Sequence, residues 1–147
     1  MVEKSGHLVQ IHGVVHRGNL GQGQKLLESY LPKDSALTTN TGSMYSRGGS
    51  LYALGLICAN HETFALELSR EHFKKATEEV VQHGGALGLG VAGMATGDEE
   101  IYEDLEGVLY TDSALNGEAV GVAMELIMLG TGSIRALEDM IQYAHDT

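Results

Sequence analysis

A glycine- and alanine-rich apolar run is the feature that most constrains the fold of this chain. Residues 83–97 read HGGALGLGVAGMATG, and related runs occur at 47–60 (RGGSLYALGLICAN) and at 116–132 (NGEAVGVAMELIMLGTG). Aligned without gaps, the runs bring Gly48, Gly84 and Gly117 together, at offsets of 36 and 33 residues. A pattern of small and apolar residues that recurs at such a spacing indicates an internal repeat.

The glycines also indicate how the repeats pack. Glycine inside a helix costs about 1 kcal/mol relative to alanine, so a helix that contains Gly84, Gly85, Gly88, Gly90 and Gly93 is unfavourable on its own. Such a helix becomes favourable where its neighbours approach so closely that side chains have to be absent. We therefore predict stacked helical hairpins, each with one thin inner helix and each burying its apolar face against the next.

The chain is predicted to be an all-α domain over 1–147, because no segment alternates with period two for long enough to form a strand. Four helical hairpins are expected, and a polar linker separates the first two at 33–46. Within the second hairpin, helices are expected at 47–59 and 63–82. The hairpins span 5–31, 47–82, 83–109 and 115–145.

Caps and apolar stripes support these boundaries. Gly18 followed by Asn19 is expected to end the first helix, and Asp98 and Ser133 are expected to cap the last two outer helices. Buried stripes are predicted on the outer helices. Their residues are Phe73, Ala76 and Val80; Ile101, Leu105, Val108 and Leu109; and Ile134, Leu137, Met140, Ile141 and Ala144.

Composition excludes several classes of function. The net charge is −11, from 9 basic and 20 acidic residues, which argues against nucleic acid or an anionic membrane as the main partner. No signal peptide and no apolar run of membrane-spanning length is recognisable. The single cysteine, Cys58, rules out an internal disulfide and is expected to be a buried structural thiol rather than a nucleophile.

Residues Gly88 to Gly93 match the G-x-G-x-x-G pattern of dinucleotide-binding loops. Such a loop needs a strand before it, whereas 63–82 is predicted to be helical, so the glycines are attributed to repeat packing and no cofactor is expected. A small nucleotide-binding enzyme stays as the alternative, which a strand at 75–82 would support and a helix through 83–96 would exclude. In the gapless alignment the three glycines correspond to Tyr52, Leu54 and Ile57, and to Gly121, Ala123 and Leu126.

Metal-binding and acid–base sites are also weighed. His12 and His16 share a helix face, but zinc needs three or four ligands, and His61-Glu62 lacks the rest of H-E-x-x-H, so no metal is expected. Six carboxylates cluster over 98–106. They are interpreted as the solvated face of an amphipathic helix, so no catalytic residue is predicted. The segment 110–113 is either a capping turn or a partner contact.

Several fragments in combination resemble the proteasome/cyclosome repeat family. They are GVVHRGNL (13–20), SYLP (29–32), GGSLYALGLICAN (48–60), HGGALGLGVAGM (83–94), and VLYTDSALNGEAVGVA with MLGTG (108–132). The resemblance extends over nearly the whole chain and is weakest at 61–82. It implies an α-helical toroid whose inner wall is formed by the glycine- and alanine-rich segments 48–59, 84–95 and 117–129.

The resemblance further implies a non-catalytic scaffold in the base of the 26S proteasome regulatory particle. Such a scaffold holds ATPase, ubiquitin-receptor and deubiquitinase subunits together in ubiquitin-dependent protein degradation. The motifs favour one large non-ATPase subunit over its sister and over the large cyclosome subunit, which stay as alternatives. The chain is expected to be a fragment of a longer subunit of the cytoplasm and nucleus, and to self-associate through the exposed ends of its repeat stack.

Overall fold

A computed structural model describes residues 18, 19, 21, 22, 25, 43–59, 63–111 and 113–146. The described residues contain six α-helices that span at least a full turn, and no strand. The helices are α1 (Met44–Cys58), α2 (Thr63–Lys75), α3 (Glu79–Ala92), α4 (Glu99–Leu109), α5 (Ala114–Ile127) and α6 (Ile134–Asp146). The predicted all-α class is confirmed.

The helices form two layers, as expected of a helical solenoid. In the inner layer α1 packs along α3, and α3 packs along α5. In the outer layer α2 packs against α3 and α1, α4 packs against α5, and α6 contacts α5 only lightly. Helix α3 is therefore held between α1 and α5, and the hydrophobic core lies between the two layers.

The repeat has a period of 35 residues. The inner helices begin at Met44, Glu79 and Ala114, so 35 residues separate each start from the next. The offsets of 36 and 33 from the gapless alignment are therefore wrong by one and two residues. Adjacent small residues fit several registers almost equally well in a sequence, whereas packing fixes a single helical phase.

The environment of Gly117 shows the consequence of this correction. A Cβ built at Gly117 would collide with the hydroxyl of Tyr143 on α6, rather than with a neighbouring inner helix. In the 35-residue register Leu54, Leu89 and Met124 correspond instead, and each is 2% exposed or less. The burial pattern of the inner helices therefore follows the corrected register.

The inner helices need glycines because they lie too close together for larger side chains. A Cβ added at Gly84 would overlap the backbone of Gly48 on α1. A Cβ added at Gly90 would lie 2.6 Å from the Cα of Ala123 on α5. Both neighbours are main-chain atoms, which cannot rotate away as the end of a flexible side chain can. The predicted role of these glycines in helix packing is confirmed.

Helix α1 begins three residues earlier than predicted. Ser43 is its N-cap, and the Ser43 Oγ accepts a hydrogen bond from the backbone N–H of Ser46 at 3.3 Å. Residues 44–46, which were predicted to belong to the linker at 33–46, are therefore helical. A serine at the N-cap satisfies a backbone donor that would otherwise have no partner, and this favours the earlier start.

The break between α2 and α3 lies at 76–78, whereas the sequence placed it between 82 and 83. Residue Glu78 is extended, with φ −94° and ψ 133°, and the side-chain amide of Gln82 donates to the backbone carbonyl of Ala76 at 3.0 Å. Val80, predicted on the outer helix, therefore belongs to the inner helix α3. No glycine or proline marks this break, so packing of α3 on α1 determines where it falls.

The predicted first hairpin, 5–31, lies outside the described residues except at a few positions, so the four-hairpin division stays a prediction. One of those positions is Gly18. Its φ of +77° suits the glycine stop expected there, and its N–H donates to the carbonyl of Ile57 on α1 at 3.0 Å.

The caps predicted for the outer helices are confirmed. The Asp98 carboxylate accepts hydrogen bonds from the N–H groups of Glu100 and Ile101 at 3.0 and 3.1 Å. The Ser133 hydroxyl accepts from the N–H of Ala136 at 3.3 Å. Both side chains satisfy helix N–H groups that have no partner within the helix.

The buried stripes of α2 and α4 are largely as predicted. Phe73 is 3% exposed and Ala76 is 7% exposed at the end of α2. On α4 Ile101, Leu105 and Leu109 are fully buried, and Val108 packs partly buried against the core. Tyr102 is also fully buried, although the pattern of aliphatic residues did not predict it.

The stripe of α6 is apolar but it is not buried. Ile134, Leu137 and Ile141 are 70%, 60% and 49% exposed, and Ala144 is exposed as well. Of the predicted stripe only Met140 is partly buried against the core. The expectation of a buried stripe is therefore wrong here, because no described element covers this side of α6.

Replacing Gly88 by alanine tests the close approach. A Cβ at Gly88 would overlap the backbone carbonyl of Leu51 and lie 3.1 Å from the Cα of Tyr52. We expect Gly88→Ala to lower the free energy of unfolding by about 1–3 kcal/mol, because the two helices must move apart. The measurement is the midpoint and slope of urea denaturation.

The matched control is Gly107→Ala on α4, where an added Cβ meets nothing within 4 Å. There the better helix propensity of alanine should raise the free energy of unfolding by up to about 1 kcal/mol. Equal effects of the two substitutions would contradict the packing role of Gly88.

Candidate functional site: contacts between repeats

Polar contacts link successive hairpins in the inner layer, at the first turns of the inner helices. The guanidinium of Arg47 on α1 pairs with the carboxylate of Glu78, directly before α3. The imidazole Nδ1 of His83 on α3 lies 2.9 Å from the backbone carbonyl of Leu115 on α5. A carbonyl can only accept, so this geometry places a proton on Nδ1. These two contacts tie α1 to α3 and α3 to α5.

A buried asparagine adds a third contact in the same layer. Asn116 is 2% exposed, and its side-chain amide donates to the carbonyl oxygen of Gln82 at 2.7 Å. Gln82 in turn donates to the carbonyl of Ala76 at 3.0 Å. The chain of hydrogen bonds crosses from α5 through α3 to the end of α2, and it sets the register of these elements because a buried polar group needs its partner.

In the outer layer Arg70 joins α2 to α4. Its Nε lies 2.5 Å from Asp104 Oδ2, and its Nη1 lies 2.8 Å from Glu100 Oε2. Lys74 Nζ lies 2.9 Å from the same oxygen of Asp104. The hydrogen bond to Asp104, followed by the one to Glu100, raises the pKa of Arg70.

The carboxylate of Asp104 contributes more to this link than that of Glu100. The side chains of Arg70 and Asp104 are 15% and 20% exposed, whereas Glu100 is 77% exposed. Exposed pairs contribute about 0–1 kcal/mol because solvent screens them. The half-buried pair with Asp104 is therefore the part of the cluster that holds α2 against α4.

Arg135 and Tyr102 join α4 to α6 in the same way. Arg135 Nη2 lies 2.8 Å from Glu106 Oε2, and its guanidinium carbon lies 5.3 Å from the ring centre of Tyr102. The Tyr102 hydroxyl donates to Asp139 Oδ2 at 2.7 Å. Burial and then this hydrogen bond to Asp139 raise the pKa of Tyr102.

The acidic run 98–106 thus does more than form a solvated face. Asp104 and Glu106, with side chains 20% and 28% exposed, pair with cations of the helices on either side of α4. The sequence interpretation missed Arg70 and Arg135 as their partners. No sequence signal identified them, because the pairs join residues about 30 positions apart and depend on how neighbouring outer helices align.

The dinucleotide-loop alternative does not fit the structure. Helix α3 runs without a break from Glu79 to Ala92. Residues 88–90 lie inside this helix and contact neighbouring helices, so they do not form an open loop. Its N–H groups are therefore engaged in helix hydrogen bonds up to Gly93, whose N–H donates to the carbonyl of Leu89 at 2.9 Å. The segment before α3 is a helix and a short turn rather than a strand.

Cys58 lies where the sequence predicted it, buried in α1. It is 1% exposed, and burial raises the pKa of its thiol to about 11, although a hydrogen bond with Ser69 lowers it somewhat. The thiol therefore stays protonated and unreactive near neutral pH. The expectation of a structural thiol is confirmed.

For metals, the described part of the chain contains no group of three possible ligands. The candidate metal ligands in the sequence lie outside the described residues; they are His12, His16 and His61. None of the described helices is both long enough and apolar enough to cross a membrane.

A cavity of about 240 Å³ lies between α4, α5 and α6. Its walls are mostly apolar, and they include Met124, Met128 and Met140 together with the buried ring of Tyr102. Leu137 of the exposed α6 stripe forms part of its rim. The cavity lies where the contact of α6 with α5 is light.

One stretch of the chain matches a known structural repeat. Residues 84–118, which run from α3 through α4 into α5, match the proteasome/cyclosome repeat. This stretch is therefore similar to the repeat from which helical solenoids of the proteasome/cyclosome type are built.

Particular relatives are similar over most of the chain. It is 50% identical to the 26S proteasome non-ATPase regulatory subunit 1 homolog B of Arabidopsis thaliana, and 47% identical to the 26S proteasome non-ATPase regulatory subunit 1 of Drosophila melanogaster, over 92% of its length in each case. To the 26S proteasome regulatory subunit RPN2 of Saccharomyces cerevisiae it is 41% identical, again over 92% of the chain. The chain spans about 13–14% of the length of these relatives.

The contact between Tyr102 and Asp139 can be tested by Tyr102→Phe. A hydrogen bond to a charged group contributes about 1.5–3 kcal/mol. The side chain of Asp139 is 19% exposed and can recruit water, so we expect a loss at the lower end of that range, measured as the free energy of unfolding in urea.

The matched control is Tyr45→Phe, at a tyrosine that is 55% exposed on α1. This exchange should change the free energy of unfolding by less than about 0.5 kcal/mol. If Tyr102→Phe were equally neutral, the hydrogen bond would not contribute to holding α6 against α4.

Proposed function

We propose that this chain is a scaffold segment of the base of the 26S proteasome regulatory particle, in support of ubiquitin-dependent protein degradation. The observation that carries the proposal is the similarity to non-ATPase regulatory subunit 1 over 92% of the chain. The geometry supports it, because the polar side chains of both layers join one repeat to the next. A stack held in this way can keep surfaces at fixed distances from one another.

The partners proposed for the whole subunit are ATPases, ubiquitin receptors and a deubiquitinase of the regulatory particle. We propose further that the segment is not an enzyme and has no catalytic, cofactor or metal residues, and that it acts in the cytoplasm and nucleus. The words "non-ATPase" and "regulatory" in the names of the relatives favour this assignment. The sister non-ATPase subunit 2 and the large cyclosome subunit are the alternatives within the same kind of solenoid.

Affinity purification of the full-length protein that contains this segment tests the proposal. We expect regulatory-particle ATPases and non-ATPase subunits to co-purify with it. A variant with Gly88→Ala should retain less of them, because its inner helices are forced apart, whereas Gly107→Ala should behave like the unchanged protein. Recovery of cyclosome subunits instead would assign the solenoid to the other machine, and recovery of neither set would overturn the proposal.

Self-association of the isolated segment through its exposed repeat ends is a further expectation. The exposed apolar residues of α6 favour it, whereas the net charge of −11 opposes it. Because salt screens the repulsion between like charges, association should be stronger at about 0.5 M salt than at 0.05 M. Sedimentation velocity at the two salt concentrations measures this, and a monomer at both would contradict the expectation.

A further inference from the structure

The connection between α3 and α4, residues 93–98, holds the C-terminal end of α5. The backbone N–H of Ala95 donates to the carbonyl of Leu126 at 2.9 Å, and that of Gly97 donates to the carbonyl of Ile127 at 3.0 Å. Both carbonyls belong to the last turn of α5. Carbonyls in the last turn of a helix have no partner within that helix, so the connection in one hairpin caps the inner helix of the next.

Helix α5 lacks the usual cap of its own at this end. Helices commonly end on a left-handed residue directly after the last turn, but neither Met128 nor Leu129 is left-handed. The N–H of Leu129 does donate to the carbonyl of Leu126, at 3.4 Å, which is longer than the bond that Ala95 makes to the same carbonyl. The shorter bond to this end of α5 therefore comes from the preceding hairpin.

A second contact of this kind occurs at the end of α1. The N–H of Gly18 donates to the carbonyl of Ile57 at 3.0 Å, and Ile57 precedes Ile127 by 70 residues, which is two repeat periods of 35. Gly18 and Gly97 both have a left-handed backbone, with φ of +77° and +64°. A left-handed glycine from an earlier segment thus donates to the same carbonyl position of two inner helices.

The shape of the α3–α4 connection is set by its own residues. The hydroxyl of Thr96 donates to the carbonyl of Gly93 at 2.8 Å and accepts from the N–H of Asp98 at 3.4 Å. On either side of the threonine, Ala95 and Gly97 are left-handed, with φ of +59° and +64°. Because local bonds already orient the two N–H groups that contact α5, little conformational entropy is lost when α5 packs against them.

The connection between α5 and α6, one repeat later, has the same shape. The hydroxyl of Thr131 donates to the carbonyl of Met128 at 2.7 Å and accepts from the N–H of Ser133 at 3.2 Å. Gly130 and Gly132 are left-handed, with φ of +80° and +67°. Among the described residues none accepts a hydrogen bond from the N–H of either glycine. The shape is therefore kept without a helix for it to cap.

We propose that the α3–α4 connection is a preformed strap that couples the stability of one repeat to that of the next. Opening of the strap removes the donors to Leu126 and Ile127 and releases the last turn of α5, which lies 30 residues beyond Gly97 in the sequence. Thr96, whose hydroxyl fixes the strap, is exposed at the edge of the solenoid. A change at this one hydroxyl therefore acts on two repeats.

Hydrogen exchange of the full 147-residue chain, followed by NMR for each amide, tests the proposal. Thr96→Val removes the hydroxyl but keeps the size of the side chain. We expect it to speed exchange of the N–H of Met128, which donates to the carbonyl of Met124 at the end of α5, by at least 5-fold. The N–H of Val120, in the middle of α5, is the internal reference and should change by less than 2-fold, because the opening is local.

A second variant and a matched control accompany this measurement. Gly97→Ala disturbs the strap differently, because alanine is strained at a φ of +64°, and it should also speed exchange at Met128 by at least 5-fold. The control is Thr111→Val, at the other end of α4. The exposed Thr111 likewise donates its hydroxyl to a carbonyl three residues earlier, that of Val108, at 2.7 Å. Since it lies near the first turn of α5, exchange at Met128 should stay within 2-fold.

Three results would overturn the proposal. Unchanged exchange at Met128 in both strap variants would mean that the end of α5 does not depend on the strap. An equal rise at Val120 would indicate loss of stability in the whole chain rather than a local coupling. An equal effect of Thr111→Val would mean that any change in a connection of α4 loosens α5. The measurement needs no partner protein, so its outcome is independent of the proteasome assignment.

Discussion

The structure depends on the contact of one inner helix with the next, backbone against backbone. Where Gly84 meets Gly48 and Gly90 meets Ala123, no room remains for a side chain larger than those present. The glycines are unfavourable for each helix alone, so the helices are stable only as a stack. For this reason the stack of repeats, rather than the single helix or hairpin, is the unit of stability.

The outer layer supplies a different kind of contact. Arg70 and Arg135 bridge from their own helices to carboxylates of α4, and the buried hydroxyl of Tyr102 reaches Asp139 of α6. Since such pairs are directional, they fix how one outer helix lies beside the next, while the apolar core between the layers provides most of the stabilisation. A scaffold needs both properties, because its partners must be held in a defined arrangement.

The contact between α5 and α6 differs from the rest of the stack. There the outer helix packs lightly, and its apolar residues Ile134, Leu137 and Ile141 remain exposed. The repeats are thus not equivalent, although their helices follow one another at a constant spacing of 35 residues.

The sequence by itself determined the helical class, the small-residue inner helices, the caps at Asp98 and Ser133, and the family resemblance. These features depend on local propensity and on periodicity, which a single chain displays directly. Only the tertiary structure decided the register of the repeats, the break before α3, the partners of the acidic run and the exposure of the α6 stripe. Each of these depends on which neighbour a residue contacts. Runs of glycine fit several registers, and Val80 suits either of two helices. The apolar face of α6 has the sequence pattern of a core face whether or not a neighbouring helix covers it.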